Sequence, residues 1–485
     1  MVNHYTSNDL IPLVVDLDGT LTLTDTLVES LVQLVKGDPL SLLHLPSSLM
    51  AGRAAFKRYI ASRVTIKVNL FPYHSQLLAY LKDEKAKGRK LVLATAAHIS
   101  IAKAVAAHLG LFDEIIATEA GGNLKGSAKL EMIRKSVGER FAYAGDSKAD
   151  MPIWESAEAA VLVSVSRSLA SMVERSTFVE REFPREQTGP KDWIKAIRVY
   201  QWIKNSLVFI PLLTSFGFSD PTKVIDACFA FIAFSFAASA TYILNDIWDI
   251  DNDRMHPRKR SRPFASARIS IPLGVFASFI LLVVSLMIAA TLSKGFLISL
   301  LTYIAITSAY SWILKTYVLI DVLILSLLYT LRILAGSLAI EVSTSSWLMA
   351  FSVFLFFGLA IIKRCTELVS LADSGQTATQ GRNYLVADLT VLWPLGIGTS
   401  LNAVVVFGLY INSAETQARY DSPQLLWLVG VGLLYWVSRL WIKTLRREMP
   451  DDPIIFAVKD FGSRVTVICM VAVTIAAHFL HFNGI

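Results

Sequence analysis

Residues 224–253 read VIDACFAFIAFSFAASATYILNDIWDIDND, and this stretch decides the fold class. The part from 224 to 245 is mostly apolar and about as long as the ~20 residues that a helix needs to cross a bilayer. It ends in several carboxylates, which a strongly basic segment follows. The stretch therefore predicts a membrane helix that leads into a charged site.

The composition agrees with a membrane protein. Of 485 residues, 54% are hydrophobic and 18% are charged, and the mean hydropathy is +0.50, whereas soluble proteins carry about 25% charged residues. Three cysteines exclude a disulfide scaffold, and the apolar content excludes disorder. The formal charge of +7 is spread along a membrane chain, so it indicates topology and no nucleic-acid partner is expected.

Apolar runs predict about nine transmembrane helices in the C-terminal part of the chain. They cover residues 202–217, 224–245, 270–292, 296–312, 319–340, 346–363, 391–412, 424–442 and 464–483. The loops after the even-numbered spans, counted with the span ends that border them, hold fifteen lysines and arginines, against three in the loops after the first, third, fifth and seventh. This asymmetry predicts a multi-pass protein of the inner (plasma) membrane with a cytoplasmic N-terminal region.

Residues 1–192 contain no run long enough to cross a bilayer, and their pattern differs from the rest of the chain. Short apolar segments at 13–15, 91–94 and 141–144 alternate with helical sequence, which predicts a parallel α/β sheet. Polar residues follow each segment: Asp16, Asp18 and Thr20 after the first, Thr95 after the second, Asp146 and Asp150 after the third. Such sheets bind ligands beyond the carboxyl ends of their strands.

These strand ends, with Lys129 near the start of a helical segment, resemble the phosphatase branch of the haloacid dehalogenase superfamily over residues 11–165. The resemblance implies a Rossmann-like α/β domain over residues 1–192. It also implies a helical cap over about 24–85 that selects the substrate. The sequence of this cap does not identify that substrate.

The resemblance gives each polar residue a role that suits its chemistry. Asp16 is the expected nucleophile toward phosphorus, and Asp18 is the expected acid and base. Thr95 and Lys129 would hold the phosphoryl oxygens, with Lys125 as the alternative lysine. Mg²⁺ prefers carboxylate oxygens. The expected magnesium ligands are Asp16, Asp18, Asp146 and Asp150.

The membrane site is predicted from Asp246, Asp249 and Asp253, whose spacing places them on one face of a helix. Three neighbouring carboxylates repel one another unless a divalent cation neutralises them. The basic run that follows can bind phosphate oxygens. Carboxylates and cations together predict a Mg²⁺-diphosphate site, although a solvated loop of mixed charge is the alternative for the basic run.

This segment resembles the UbiA-type transferases over about 195–484, and their NDxxDxxxD motif matches Asn245 to Asp253. The resemblance implies an all-α polytopic transferase domain over residues 193–485, with Mg²⁺ on Asp246, Asp249 and Asp253. The family usually has a second acidic pair with DxxxD spacing. Here Asp321 is present and position 325 is leucine, which departs from a plain prenyl-diphosphate site.

Arg332 points to one branch of this family. It follows Asp321 by eleven residues, which at about 100° per residue returns to within about 20° of the same helix face. A charge inside a membrane helix indicates a functional site, although an ion pair with an inward carboxylate would be a structural alternative. Together with residues 201–205, 245–262, 315, 363–367 and 382–384, Asp321 and residues 332–336 form a set that resembles the decaprenyl-phosphate phosphoribosyltransferase branch. The candidate substrate-binding residues are Lys204, Asn245, Arg254, Arg258, Lys259, Arg262, Lys315, Asp321, Arg332, Lys363 and Arg364.

The branch implies a donor, phosphoribosyl diphosphate, and an acceptor, polyprenyl phosphate, in the lipid bilayer. We therefore expect the chain to attach 5-phosphoribose to the lipid. We also expect its N-terminal domain to act as a phosphatase on the 5-phosphate of the product, with released diphosphate or another phosphoester as alternatives. A prenyl transfer to an aromatic acceptor and a non-catalytic carrier or scaffold remain open. The lipid length and the oligomeric state do not follow from the sequence.

Overall fold

The computed structural model describes residues 10–119, 124–184, 188–379, 382–450 and 452–480. These residues form two compact units. The first comprises the described residues up to Ile197 together with Tyr242–Ala277, and the second comprises Arg198–Thr241 and the described residues from Ser278 onward. The segment that carries the NDxxDxxxD motif therefore belongs to the same compact unit as the N-terminal residues. The predicted domain boundary, in contrast, lies near residue 192.

A six-stranded parallel sheet forms the centre of the first unit, with strand order β3-β2-β1-β4-β5-β6. The strands are β1 Leu13–Val15, β2 Leu91–His98, β3 Glu114–Thr118, β4 Ala142–Gly145, β5 Ala159–Val163 and β6 Phe178–Phe183. The three predicted strands are confirmed as β1, β2 and β4, and they are neighbours. Their carboxyl ends therefore lie side by side.

Helices cover both faces of this sheet, which explains why its central strands are apolar throughout. Leu13 and Val15 pack in the core on one face, and Val14 packs in the core on the other. The helices are α1 Thr26–Gly37, α2 Leu45–Met50, α3 Arg53–Ala61, α4 Ser75–Ala86, α5 Ile99–Leu109, α6 Ser127–Val137, α7 Met151–Trp154, α8 Arg167–Val173 and α9 Pro190–Ala196. The predicted cap, 24–85, is helical as expected, and α1 to α4 begin within it.

The rest of the described chain is helical. It contains α10 Ile210–Thr214, α11 Pro221–Trp248, α12 Ile250–Met255, α13 Ile271–Thr291, α14 Lys294–Trp312, α15 Ile320–Ala339, α16 Ser346–Asp373, α17 Leu389–Ile411, α18 Ala414–Arg419, α19 Leu426–Leu445, α20 Pro453–Lys459 and α21 Phe461–Phe479. Eight of the helices in the described ranges are long and apolar enough to cross a membrane: α11, α13 to α17, α19 and α21.

The first of the nine predicted spans, 202–217, is not a regular transmembrane helix. It consists of a 3-10 helix, Val199–Phe209, followed by the five-residue α10. Pro211 has no N–H to donate to a preceding carbonyl, so it cannot continue an α-helix from the preceding residues. Proline is accepted in the first turn of a helix, and α10 begins at Ile210. A five-residue helix rises only about 8 Å, far less than a bilayer. Apolar composition alone did not distinguish this segment from a span.

One close contact fixes this 3-10 segment in the second unit. Gly336 of α15 lies against Val208, and a Cβ at position 336 would be 2.1 Å from the Val208 carbonyl oxygen. Only glycine allows this approach. The contact holds the 3-10 segment, with its buried polar residues Lys204 and Asn205, in the interior of the helical unit, where α15 carries Arg332.

Candidate functional sites

The carboxyl ends of β1 and β4 bring three carboxylates together. Asp16 follows β1 directly, Asp146 follows β4, and Asp150 lies one turn later. Their nearest oxygen atoms all lie within 4.8 Å of one another, the one such group of metal-ligating residues found in the described ranges. Gly19 has a φ of +77°, and a Cβ there would be 2.2 Å from Asp146 Oδ2, so the glycine leaves the space that these carboxylates occupy.

Lys129 is the lysine that meets this cluster. Its side chain is 3% exposed, and its Nζ lies 3.0 Å from Asp16 Oδ1 and 3.7 Å from Asp150 Oδ1. It also donates to the Tyr143 hydroxyl at 2.9 Å, which donates in turn to Asp150 at 2.9 Å. The alternative, Lys125, is exposed. The geometry therefore favours Lys129 over Lys125 for contact with a phosphoryl group.

Burial and charge set the protonation of this cluster. Burial raises the pKa of Asp16, and Lys129 opposes that shift. Burial alone would lower the pKa of Lys129, but Asp16 and Asp150 raise it above its ordinary value. Burial, and then the neighbouring Asp16, raise the pKa of Asp146 to about 7. The carboxylates are thus crowded and desolvated, an arrangement that a divalent cation would relieve.

Asp18 differs from the other three predicted magnesium ligands. Its carboxylate is not part of the three-carboxylate group in the described structure, and it accepts a hydrogen bond from the backbone N–H of Thr26 at 2.7 Å. Burial, followed by repulsion from Asp25, raises the pKa of Asp18 to about 7. A carboxyl group that is half protonated near neutral pH suits proton transfer better than metal binding.

Thr95 lies inside β2, where the sequence predicted it just beyond the strand. The pairing of β2 with β3 shifts register between Ala94 and His98, an irregularity of the kind often found beside functional sites. Thr95 is fully buried, and its hydroxyl accepts a hydrogen bond from the Ala97 N–H at 3.0 Å. Its role as a phosphoryl ligand stays a prediction.

In the NDxxDxxxD segment, Asp246 and Asp253 converge on one arginine. The backbone of Asp249 bonds to Asn245 and that of Asp253 bonds to Asp249, so helical spacing continues from α11 into α12. Arg262 Nη1 donates to Asp246 at 3.1 Å and to Asp253 at 2.7 Å. Asn245 donates to Asp249 at 3.3 Å. In this arrangement the Arg262 guanidinium supplies the positive charge for which the sequence predicts Mg²⁺.

Arg254, a predicted substrate-binding residue, has a different partner. Its guanidinium forms a two-point ion pair with Glu29 of α1, at 2.6 and 3.2 Å, and donates to the Ala265 carbonyl at 3.0 Å. The two charged side chains are 6% and 2% exposed. The structure therefore places Arg254 in a buried structural pair, while Arg258 and Lys259 are exposed.

In the second unit, Arg332 is buried among neutral groups. It is 5% exposed, and it donates to Asn205 Oδ1 at 2.9 Å, to the Tyr303 hydroxyl at 3.1 Å and to the Leu328 carbonyl. Its guanidinium also lies over the rings of Tyr303 and Tyr329, at 4.8 and 5.4 Å from their centroids. No carboxylate in the described ranges forms an ion pair with it, so the structural alternative of an inward ion pair is not observed.

Asp321 does not share the partners of Arg332. Its carboxylate accepts from Arg364 Nε at 2.6 Å and from the Tyr384 hydroxyl. Arg364 continues to Glu367, which accepts from Arg382 at 2.9 Å. Asp321 and Arg364 were both predicted to bind substrate, and the structure pairs them with each other in a buried network.

The remaining predicted cations of the second unit lie in different surroundings. Lys204 is buried and forms an ion pair with Asp452, whose position no sequence pattern indicated. Lys363 of α16 is half-buried, and so is Lys315, which lies in the 3-10 turn Leu314–Thr316. Lys204 and Lys363 thus lie in the same helical unit as Arg332.

The chain matches two protein families over different residues. The model of the UbiA prenyltransferase family matches residues 207–462, more than half of the chain. The chain belongs to the UbiA prenyltransferase family. Residues 13–155 match the haloacid dehalogenase-like hydrolases, so this UbiA protein carries a hydrolase domain at its N-terminal end. The predicted combination of two domains is confirmed.

Relatives of this UbiA protein differ in how much of the chain they match. An uncharacterized protein, y4nM, from Sinorhizobium fredii is 37% identical over 456 residues, which covers 93% of this chain and 88% of that protein. Nodulation protein NoeC from Azorhizobium caulinodans is 31% identical over 60% of this chain and 93% of its own. A decaprenyl-phosphate phosphoribosyltransferase from Mycolicibacterium smegmatis is 32% identical over 46% of this chain and 70% of its own.

Proposed function

We propose that this UbiA protein transfers 5-phosphoribose from phosphoribosyl diphosphate to a polyprenyl phosphate, and that its hydrolase domain is a phosphatase that removes the 5-phosphate of the lipid-linked product. The proposal includes Mg²⁺ at both sites, an inner-membrane location and a cytoplasmic N-terminal domain. The name of the mycobacterial relative supports the choice of donor and acceptor.

The observation that carries the proposal is the environment of Arg332. A permanent cation is buried in a membrane-spanning unit, and its partners in the described structure are neutral. Burying an unpaired charge is unfavourable, so the site would gain from an anionic ligand. Either donor would place its diphosphate at the Mg²⁺ site, and beyond it a prenyl chain offers no further anion, whereas the 5-phosphate of the ribose offers oxygens that match the guanidinium geometry.

In the transfer, the bond between ribose C1 and the diphosphate oxygen breaks, and a bond from C1 to an oxygen of the lipid phosphate forms. Diphosphate is released. Mg²⁺ bound by the carboxylates of Asp246 and Asp253 would neutralise charge on the leaving diphosphate. Those carboxylates fit a hard cation, and Arg262, which bridges them here, can turn toward diphosphate oxygens.

In the hydrolase domain, an oxygen of Asp16 attacks phosphorus and the ester oxygen leaves, so that the phosphoryl group is carried by Asp16. Asp18 donates a proton to the departing alcohol and then accepts one from the water that attacks phosphorus, which breaks the bond to Asp16 and releases phosphate. Lys129 stabilises charge on the phosphoryl oxygens. The donor set of Asp16, Asp146 and Asp150 fits Mg²⁺, which would supply further charge neutralisation.

A labelling experiment tests the transfer. Purified full-length protein in lipid receives polyprenyl phosphate and phosphoribosyl diphosphate labelled in a ribose carbon, and the organic phase is assayed. We expect Mg²⁺-dependent label in the lipid. Transfer of label from a prenyl diphosphate to an aromatic acceptor, with none from the ribose donor, would establish the prenyltransferase alternative. The absence of label with either donor would support the carrier or scaffold.

Arg332→Met gives a sharper prediction. Loss of a charge-assisted hydrogen bond costs about 1.5–3 kcal/mol, which corresponds to roughly tenfold to a few hundredfold in donor KM or turnover at ~1.4 kcal/mol per tenfold. Arg332→Lys should restore part of the activity because it keeps the charge. A correctly inserted Arg332→Met protein that transfers phosphoribose at the wild-type rate would remove the main support for this donor.

A further inference from the structure

The cap of the hydrolase domain exposes a cluster of large apolar side chains. Leu40, Leu43, Leu49 and Met50 are 74, 76, 54 and 90% exposed, and Leu42 is 39% exposed. They belong to the 3-10 helix Pro39–His44 and to α2, which follows it directly. We call these five residues the cap tip. Scattered exposed leucines are ordinary, but four that are more than half exposed within eleven residues form a patch that indicates a binding surface.

Positive charge follows the cap tip closely. Residues 39–67 contain five lysines and arginines, and the chain has no acidic residue between Asp38 and Asp83. Arg53, Arg58, Arg63 and Lys67 are exposed. Apolar side chains beside a basic cluster characterise segments that lie in the interface of an anionic bilayer.

We propose that the cap tip inserts into the surface of the anionic bilayer in which the transmembrane helices of the same chain are embedded. Covalent linkage to those helices keeps the cap at a high effective concentration near lipid, so even weak insertion would be well populated. A second copy of the chain suits the cap tip less well, because a symmetric contact would bring two sets of cations together.

The cap tip is connected to the phosphatase site through α3. Lys57 of α3 donates to the Ala96 carbonyl in β2, at 2.6 Å and next to Thr95. An inserted cap would therefore hold the strand ends of the domain close to phosphate groups that are attached to lipid. This consequence for catalysis rests on the proposed function, whereas insertion of the cap tip does not depend on it.

Spin labels on the full-length protein in nanodiscs test the insertion. The exposed cysteines Cys228 and Cys469 are replaced by alanine, and labels are placed by Leu43→Cys or Met50→Cys. The control label, Glu139→Cys, replaces a side chain that is 74% exposed and lies outside the cap. The nanodiscs contain phosphatidylcholine with about one third phosphatidylglycerol. Collision rates with oxygen, which partitions into lipid, and with a water-soluble nickel chelate are compared.

We expect the ratio of oxygen to nickel accessibility to be severalfold higher at positions 43 and 50 than at position 139. Arg58→Glu with Arg63→Glu should reduce this ratio in the anionic nanodiscs. Nickel accessibility at positions 43 and 50 equal to that at the control would overturn the proposal. Protection from both reagents would also overturn it, because it would indicate a protein partner or a second copy.

A kinetic comparison separates this proposal from the proposed function. Leu43→Asp with Met50→Asp should slow hydrolysis of the lipid-linked 5-phosphate severalfold and leave hydrolysis of soluble p-nitrophenyl phosphate unchanged. Inserted labels together with equal rates of lipid hydrolysis in the variant and the wild type would contradict the link between insertion and catalysis, while the membrane contact would stand. The absence of lipid hydrolysis in the wild type would instead contradict the assigned phosphatase substrate. An equal loss on both substrates would show that the double variant damages the domain, and the spin-label result then decides.

Discussion

Replacing Lys129 with methionine is the most informative change in the hydrolase domain. The substitution keeps the length and the apolar stem of the side chain, and it removes an ammonium group that lies 3.0 Å from Asp16. Burial already raises the pKa of Asp16, and Lys129 is the main group that opposes the shift. Without it, the carboxyl group should be protonated at higher pH and so be unable to attack phosphorus.

The magnitude follows from the distance. Two unit charges 3.0 Å apart attract by about 5.5 kcal/mol at an effective dielectric constant of ~20. Removing one group that stabilises charge in a transition state typically costs about 2.7–4 kcal/mol. At ~1.4 kcal/mol per tenfold, kcat/KM should fall by roughly two to three orders of magnitude.

The assay is hydrolysis of p-nitrophenyl phosphate by the full-length protein at saturating Mg²⁺ across a range of pH. Asp16 acts in its ionised form, so a higher pKa should move the acidic limb of the pH profile upward and allow partial recovery in alkaline buffer. Lys125→Met is the matched control and should behave as wild type, since Lys125 is exposed. A near-normal rate in Lys129→Met, or a large loss in Lys125→Met, would refute this reasoning.

Three other predictions address the remaining features. Asp246→Asn should abolish lipid labelling and leave p-nitrophenyl phosphate hydrolysis intact, because the amide cannot supply the charge that Mg²⁺ needs. Asp16→Asn should leave lipid labelling intact and accumulate the 5-phosphorylated lipid on chromatography, because the amide is a poor nucleophile. Glu29→Met should lower the free energy of unfolding by about 3–5 kcal/mol, because it leaves Arg254 buried without a counter-charge. Adding Arg254→Met should recover much of that loss in thermal melts, because the unpaired charge is then gone.

Each of these predictions has a contradicting outcome. Wild-type labelling in Asp246→Asn would remove this aspartate from the transfer site. A dephosphorylated lipid made by pure Asp16→Asn would separate the hydrolase from the lipid product. Equal stability of Glu29→Met and wild type would show that the ion pair contributes nothing.

The hydrolase site could be predicted because its signal is local. Asp16 and Asp146 follow apolar segments that had to be parallel strands, and the ends of neighbouring parallel strands meet. The strands β3, β5 and β6 were missed. The outer strand β6, FVEREF, is largely polar and partly exposed, so its pattern did not predict a buried strand.

The partners of the basic residues could not be predicted. Glu29 and Arg254 are 225 residues apart, and Asp321 is 43 residues from Arg364. No periodicity connects such residues, because their contact depends on the assembled fold. The same limit applies to the first predicted span, where the partners of the buried residues Lys204 and Asn205 lie far away in the sequence and composition does not show them.

The ion pair between Glu29 and Arg254 restricts how the two domains of this chain can be exchanged in evolution. A hydrolase domain acquired from another protein, without an acid at the position of Glu29, would leave the guanidinium buried with no counter-charge. Loss of the hydrolase domain would instead expose the arginine to water. Among chains that retain both domains, recombination is therefore expected to keep or replace both charges together, so the two positions should vary as a pair.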